Sequence, residues 1–344
     1  MSKDNLTGQV TTFTYNNAGA VTQVAQSGGT SNNTSAYTYD ARGNRLTATI
    51  TGATPSSQSL TVNAGNQITN AGYSYDGAGN LTADTAGSYT YNAAQQMITV
   101  TQGSTSYPYK YAGTSQNELL QQQKAGTIYQ LVYGRTDRQN QPIIEQVKIG
   151  SDTAYVINDP RTGQPLALQS STGTAQLYAY SGTGNPTALL TDQSTTAYST
   201  TYDPYGAPTT TAGGTSTAAT QNPYAFKGGT QDRATGWVHF GARWYNPTTG
   251  TWTQQDTLDK PLDPANANRY AYAGDDPVNG NDPTGQAIVP CIFGALGVVG
   301  SLLLFGVLVF GEPLTGGLDT AATIGSGLLV VSTAGLTGYE CGRN

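Results

Sequence analysis

Tyr39-Asp40-Ala41-Arg42-Gly43-Asn44-Arg45-Leu46 returns in the same chain as Tyr75-Asp76-Gly77-Ala78-Gly79-Asn80-Leu81, and this repetition decides the fold. Looser copies begin at Tyr15 (Tyr-Asn-Asn-Ala-Gly-Ala-Val), Val62 (Val-Asn-Ala-Gly-Asn-Gln-Ile), Tyr91 (Tyr-Asn-Ala-Ala-Gln-Gln-Met-Ile), Tyr180 (Tyr-Ser-Gly-Thr-Gly-Asn-Pro) and Tyr202 (Tyr-Asp-Pro-Tyr-Gly-Ala-Pro). Consecutive copies lie roughly 13 to 24 residues apart, too close for domains and right for strand-turn-strand units. One such unit cannot bury its apolar face alone and must stack on its neighbours.

The residue types explain the recurrence. Tyr-X-Tyr puts two rings on one face of a strand, because side chains alternate with period two. The Asp or Asn that follows, and the Gly and Asn beyond it, favour a tight turn through side-chain-to-backbone bonds and tolerance of positive φ. A branched or long apolar residue then opens the return strand, giving a hairpin with an aromatic rung before the turn and an aliphatic one after it. A lone Tyr-Asp-X-X-Gly is also a common hairpin turn in unrelated β proteins; repeated copies with flanking Tyr-X-Tyr favour an array.

Composition agrees. Among 344 residues there are 43 Gly and 23 Tyr, and only 10% are charged, as in a turn-rich β protein with Thr, Ser, Asn and Gln on its exposed strand positions. Before residue 280 the one helical candidate is the short stretch 116–123. A net charge of −6 argues against a phosphate-backbone partner, so no nucleic acid is expected. The two cysteines, Cys291 and Cys341, are compatible with a disulfide or with two free thiols. Without a Cys/His cluster, no metal and no cofactor is expected. Met1-Ser2-Lys3-Asp4 opens no apolar run, so no signal peptide is visible, and the start within repeats points to upstream repeats of a longer protein.

From 223 to 285 the sequence grows denser: Tyr224-Ala225-Phe226-Lys227-Gly228-Gly229, Asp232, Thr235-Gly236-Trp237, Gly241-Ala242-Arg243-Trp244-Tyr245-Asn246-Pro247, Gly250, Trp252, Asp256, Asn268-Arg269-Tyr270-Ala271-Tyr272, Asp276-Pro277-Val278-Asn279 and Asp282-Pro283-Thr284-Gly285. This order and spacing resemble the RHS repeat-associated core domain, and the cassettes resemble the Tyr-Asp (YD) repeats of the same RHS family. The resemblance implies a mainly β fold, in which an antiparallel YD-repeat ribbon over 1–222 forms part of a shell or spiral. It further implies an inward-turning core plug over 223–286 and a variable C-terminal segment, 287–344. It also implies a polymorphic-toxin carrier that encloses its effector and cuts itself beyond the Asp-Pro-X-Gly element by an aspartate-dependent mechanism. The positions that match are Arg243, Asp256 and Asp282, with the scissile bond at Gln286-Ala287. An immunity protein and a secreted or cell-surface location come with that reading.

The chain departs from the family pattern at Asn246, where an Asp is usual, at Thr257, where a Pro is usual, and at Gln286, where a Leu is usual. The residues themselves leave two readings of Arg243 and Asp256: a buried ion pair that fixes register, or a cation that tunes a carboxyl and polarises a carbonyl. His239, the single histidine, reads as a packed ring between Trp237 and Phe240. No substrate-turnover enzyme is expected, and an autoprotease is the only enzymatic reading.

The tail changes character. The run 287–311 carries no charge, is rich in Leu, Val, Ile and Phe, and is long enough to cross a bilayer as a helix. Three uses fit this hydrophobic, helical-looking tail: a membrane-active effector, a membrane anchor, or helices sheltered inside a shell. The rival from another class is a membrane-anchored surface module whose exposed rings bind carbohydrate or a protein.

Overall fold

The computed structural model describes residues 2–3, 9–29, 32–113, 118–137, 140–192, 195–257, 267–286 and 289–290. It is mainly antiparallel β, as the repeats predict. Cys291, Cys341 and the apolar run lie outside the described residues, save that Val289–Pro290 is a short strand. Among the described residues no helix is long and apolar enough to cross a membrane.

The chain divides into two compact units. The first comprises Met1–Tyr129, Asp203–Ala207 and Gly229–Val289; the second is built on Gln130–Tyr202 and Pro208–Gly228. In the first unit, six strands pair in chain order: Ser2–Lys3, Val10–Tyr15, Val21–Ser27, Asn33–Tyr39, Arg45–Gly52 and Ser56–Ser59. Five more, Ser74–Tyr75, Leu81–Ala83, Ser88–Tyr91, Met97–Gln102 and Thr105–Pro108, do the same. The segment after 229 contributes a separate sheet of Thr230–Gln231, Val238–Phe240, Arg243–Asn246 and Thr251–Trp252. In the second unit, strands from Pro142–Ile149 to Pro208–Ala212 again pair in sequence, and Ser216 caps a short helix at Thr217–Gln221.

The helix expected at 116–123 is a strand where it is described, Leu119–Lys124, pairing antiparallel with Lys110–Tyr111. Tertiary partners override the helix propensity of Leu and Gln. Gln122, buried to 2% exposure, uses both ends of its carboxamide as a strand edge would: Nε2 donates to the Gln231 carbonyl at 2.8 Å and Oε1 accepts from the Arg233 N–H at 2.7 Å.

The cassettes close with one geometry. Taking the Asp, Asn or Ser as position 1, its N–H donates to the carbonyl of position 5 and the N–H of position 4 donates back to its carbonyl, as at Asp40–Asn44, Asp76–Asn80, Asn92–Gln96 and Asp203–Ala207. The side-chain oxygen accepts further N–H groups: Asp40 Oδ1 takes those of Arg42 (2.8 Å) and Asn44 (2.9 Å), and Asp76 Oδ1 those of Ala78 (2.9 Å) and Asn80 (2.8 Å). The turn thus satisfies its own backbone without a neighbour, which lets it recur. Position 4 has positive φ throughout: Gly19, Gly43 and Gly79, but also Asn66 and Gln95. A non-glycine there costs about 1–2 kcal/mol. Both side chains have a partner that offsets this, since Asn44 Nδ2 donates to Asn66 Oδ1 at 2.9 Å and Asn80 Nδ2 to Gln95 Oε1 at 2.6 Å.

The expected rungs form at Tyr15 opposite Val21, Tyr75 opposite Leu81 and Tyr91 opposite Met97. In the first strong cassette Tyr39 faces Arg45 rather than the aliphatic Leu46. The Arg45 guanidinium lies 4.3 Å from the centre of the Tyr205 ring, beside a core of Val21, Val24, Tyr37, Tyr205 and Val278. Burial on an aromatic face lets a cation fill the aliphatic position.

Candidate functional site

Arg243 opens a strand that pairs Phe240 with Arg243 across the Gly241-Ala242 tip, so its side chain enters a buried layer of Phe240, Tyr245, Trp252 and Tyr272. Its guanidinium carbon lies 4.1 Å from the Trp252 ring centre. The chain returns at 282–286 against the same tip, where the Ala242 N–H donates to the Thr284 carbonyl at 2.9 Å. Gly285 is required there: its φ is +66° and a Cβ would lie 2.4 Å from the Phe240 carbonyl oxygen.

Around Arg243 the three residues singled out in the sequence converge. Its NH2 nitrogen lies 2.8 Å from Asp256 Oδ2 and 3.1 Å from Asp282 Oδ2. Its Nε donates to the Gly285 carbonyl and its NH1 to the Arg269 carbonyl at 3.1 Å. Burial pulls the Arg243 pKa below the usual range, and the Asp256 and Asp282 carboxylates oppose that shift. Asp282 uses its other oxygen on the turn: Oδ1 accepts from the Gln286 N–H at 3.1 Å and from the Thr284 hydroxyl at 3.1 Å. The Gly285-Gln286 peptide is therefore held at both faces, by a cation on its carbonyl and a carboxylate on its N–H. Such an arrangement polarises a carbonyl next to carboxylates able to move protons. Gln286 is the last described residue before Ala287, so the Gln286-Ala287 bond itself runs outside the described residues.

Asp256 is fixed through its main chain. Its N–H donates to the Arg269 carbonyl at 3.1 Å, while Arg269 Nε donates to the Asp256 carbonyl at 2.8 Å and Arg269 NH2 to the same oxygen. Arg269 has no sequence signal for this role, because the carbonyl it grips, thirteen residues away, is brought near only by folding. Asn246 does not join the carboxylates but caps its own turn, Oδ1 accepting from the Thr248 N–H at 3.0 Å. His239 is the packed ring the sequence suggests, 4% exposed and 4.6 Å from Trp244 between ring centres.

The same segment grips the repeat turns. Asn268 Nδ2 donates to the Gly43 carbonyl at 3.1 Å and to Asn44 Oδ1 at 2.9 Å. The Tyr270 hydroxyl donates to the Gly79 carbonyl at 2.7 Å, and Gln254 Nε2 to the Gln95 carbonyl at 2.7 Å. Each carbonyl acceptor is position 4 of a cassette. Tyr109 adds a buried bond to Asp232 Oδ1 at 2.7 Å, and Arg45 NH2 donates to the Thr248 carbonyl at 2.7 Å. The cassette residues Tyr39, Asp40, Gly43, Asn44, Tyr75, Asp76, Gly79 and Asn80 thus build turns and docking points.

The surface row of rings expected of a carbohydrate binder is not found among the described residues: their exposed large apolar side chains are Tyr15, Leu120, Ile128, Tyr155 and Ile157. Trp237, Trp244 and Trp252 are all buried.

Comparison with known proteins agrees with this architecture. The chain is 28% identical over 259 residues to "tRNA3(Ser)-specific nuclease WapA" of Bacillus spizizenii and 27% identical over 259 residues to "tRNA nuclease WapA" of Bacillus subtilis, in each case over 73% of this chain and 11% of the relative. It therefore spans 11% of the length of these curated relatives. Among solved structures it is similar to "Crystal Structure of TcdB2-TccC3-Cdc42", with a TM-score of 0.63 and 17% identity over 80% of this chain and 15% of that one. It is also similar to "Crystal Structure of TcdB2-TccC3", with a TM-score of 0.62 and 16% identity over 80% of this chain and 16% of that one. At these identities the likeness is one of fold. The family described as Teneurin YD-shell matches residues 3–278, and with its cassettes, sheets and core segment in place the chain belongs to that family of RHS/YD-repeat proteins.

Proposed function

We propose that this chain is part of an RHS-type toxin carrier, in which the β-repeats enclose and present an effector, 287–344, freed by self-cleavage at Gln286-Ala287. The observation that carries the reading is Arg243 holding Asp256, Asp282 and the Gly285 carbonyl together, one residue before that bond. In the reaction Asp256 takes a proton from a water, the water oxygen adds to the Gln286 carbonyl carbon, and the C–N bond to Ala287 breaks. The proton passes to the departing amine, leaving a carboxylate on Gln286, while Arg243 and the Asp282 turn keep the strand in place. Membership of the YD-shell family and similarity to the WapA nucleases support a carrier role; upstream repeats of a longer protein and an immunity protein are its proposed partners. A secreted or cell-surface setting and membrane action of the tail belong to the same proposal.

Intact-mass analysis of the purified full chain tests it. Wild type yields fragments ending at Gln286 and starting at Ala287, and Asp256→Asn stays whole; an uncut wild type refutes self-cleavage. A cut one residue earlier would identify the peptide gripped by Arg243 as the scissile one.

A further inference from the structure

We propose that Arg269 is a positioning residue that ties the candidate site to docking of the 268–270 strip on the repeat turns, an inference that rests on the self-cleavage reading and concerns its regulation. The strip divides its work by position. Asn268 and Tyr270, 8% and 2% exposed, reach the cassettes at Gly43 and Gly79. Arg269 between them holds Asp256 by donating to its carbonyl and accepting from its N–H. Its carbonyl also accepts from Arg243 NH1, so one residue touches both members of the Arg243–Asp256 pair.

The choice of residue is informative. Arg269 spends two donors on a neutral carbonyl, and its charge opposes that of Arg243 nearby. A second cation beside the first is a cost in attraction that a positional hold explains. Because both grips belong to one tripeptide, the strip cannot leave the cassettes without loosening Asp256. The site is then complete only when the repeats it docks on are folded, which restrains cleavage until the shell has formed.

The test follows cleavage of the full chain over time by intact mass, together with amide exchange at Asp256. Arg269→Ala is expected to slow cleavage about a hundredfold, as small misplacements of catalytic groups do, and Arg269→Lys to recover part of it. The double variant Asn268→Ala, Tyr270→Phe, which alters neither carboxylate, is expected to slow cleavage about tenfold and to raise exchange at Asp256. A wild-type rate in Arg269→Ala, or unchanged Asp256 exchange in the double variant, overturns the proposal. If wild type itself stays uncut, the self-cleavage reading fails, and exchange decides the coupling alone: a rise in both variants supports it and no rise overturns it.

Discussion

The turn at Asp282–Gln286 and the cassette turns at Asp40–Asn44 and Asp76–Asn80 share one plan. In each, the aspartate Oδ1 accepts the N–H four residues on, and a glycine of positive φ returns its N–H to the aspartate carbonyl. In each, another side chain takes the glycine carbonyl: Asn268 at Gly43, Tyr270 at Gly79, Arg243 at Gly285. The difference is charge. Neutral donors anchor a turn with little field, whereas a buried guanidinium with two carboxylates is costly to desolvate and concentrates field on one peptide. One scaffold thus serves attachment in two places and, in the proposed self-cleavage, chemistry in the third.

Breaking the charged turn should cost most. Arg243→Met leaves Asp256 and Asp282 without their shared partner and is expected to destabilise by about 3–5 kcal/mol in denaturant unfolding, against about 1.5–3 kcal/mol for Asp40→Ala, which removes a part-buried carboxylate's bonds to its own turn. Equal losses would erase the distinction. The glycines offer the next contrast. Gly285→Ala meets the Phe240 carbonyl and is expected to cost about 3 kcal/mol. Gly19→Ala, at the same turn position with open space, is expected to cost about 1 kcal/mol.

A pH series sharpens the comparison through a buried carboxyl beside Gly43. Burial pushes the Asp275 pKa up to about 8, a neighbouring Asp40 adding to the shift and Arg45 opposing it. The folded value lies above the unfolded one, so this stabilisation is full below about pH 4 and is lost as pH rises toward 8, at no more than about 1.4 kcal/mol per unit. Asp275→Asn should flatten that slope in thermal unfolding. Asp40 acts with the opposite sign: burial raises its pKa, but bonds from Asn44 and Arg42 outweigh this and hold it below the usual range. Its contribution is therefore present above the unfolded value and fades in acid.

What the sequence made legible was local. The cassettes at Tyr39 and Tyr75 could be read because Asp40 and Asp76 satisfy their turns within five residues. The turns at Asp137 and Ser170 share the backbone pattern but lack the preceding tyrosine, and they escaped notice. At Asn63 the string Gly65-Asn66 suggests glycine at the left-handed site, yet Asn66 takes it, because its carboxamide meets Asn44. The grouping of Arg243, Asp256 and Asp282 followed from family likeness, but Arg269 did not, since its role depends on a backbone carbonyl brought close only by folding. Leu119–Lys124 misled because Gln122 finds strand partners more than a hundred residues away.

The spacing of sockets along the repeats has a consequence for growth of the array. Asn268 and Tyr270 sit two residues apart and must find Gly43 and Gly79 at once. Duplicating or deleting a hairpin between those glycines would put one socket out of reach, whereas gain or loss before Tyr39 leaves both in step. Length variation among related chains should accordingly spare the interval from 43 to 79 and accumulate outside it.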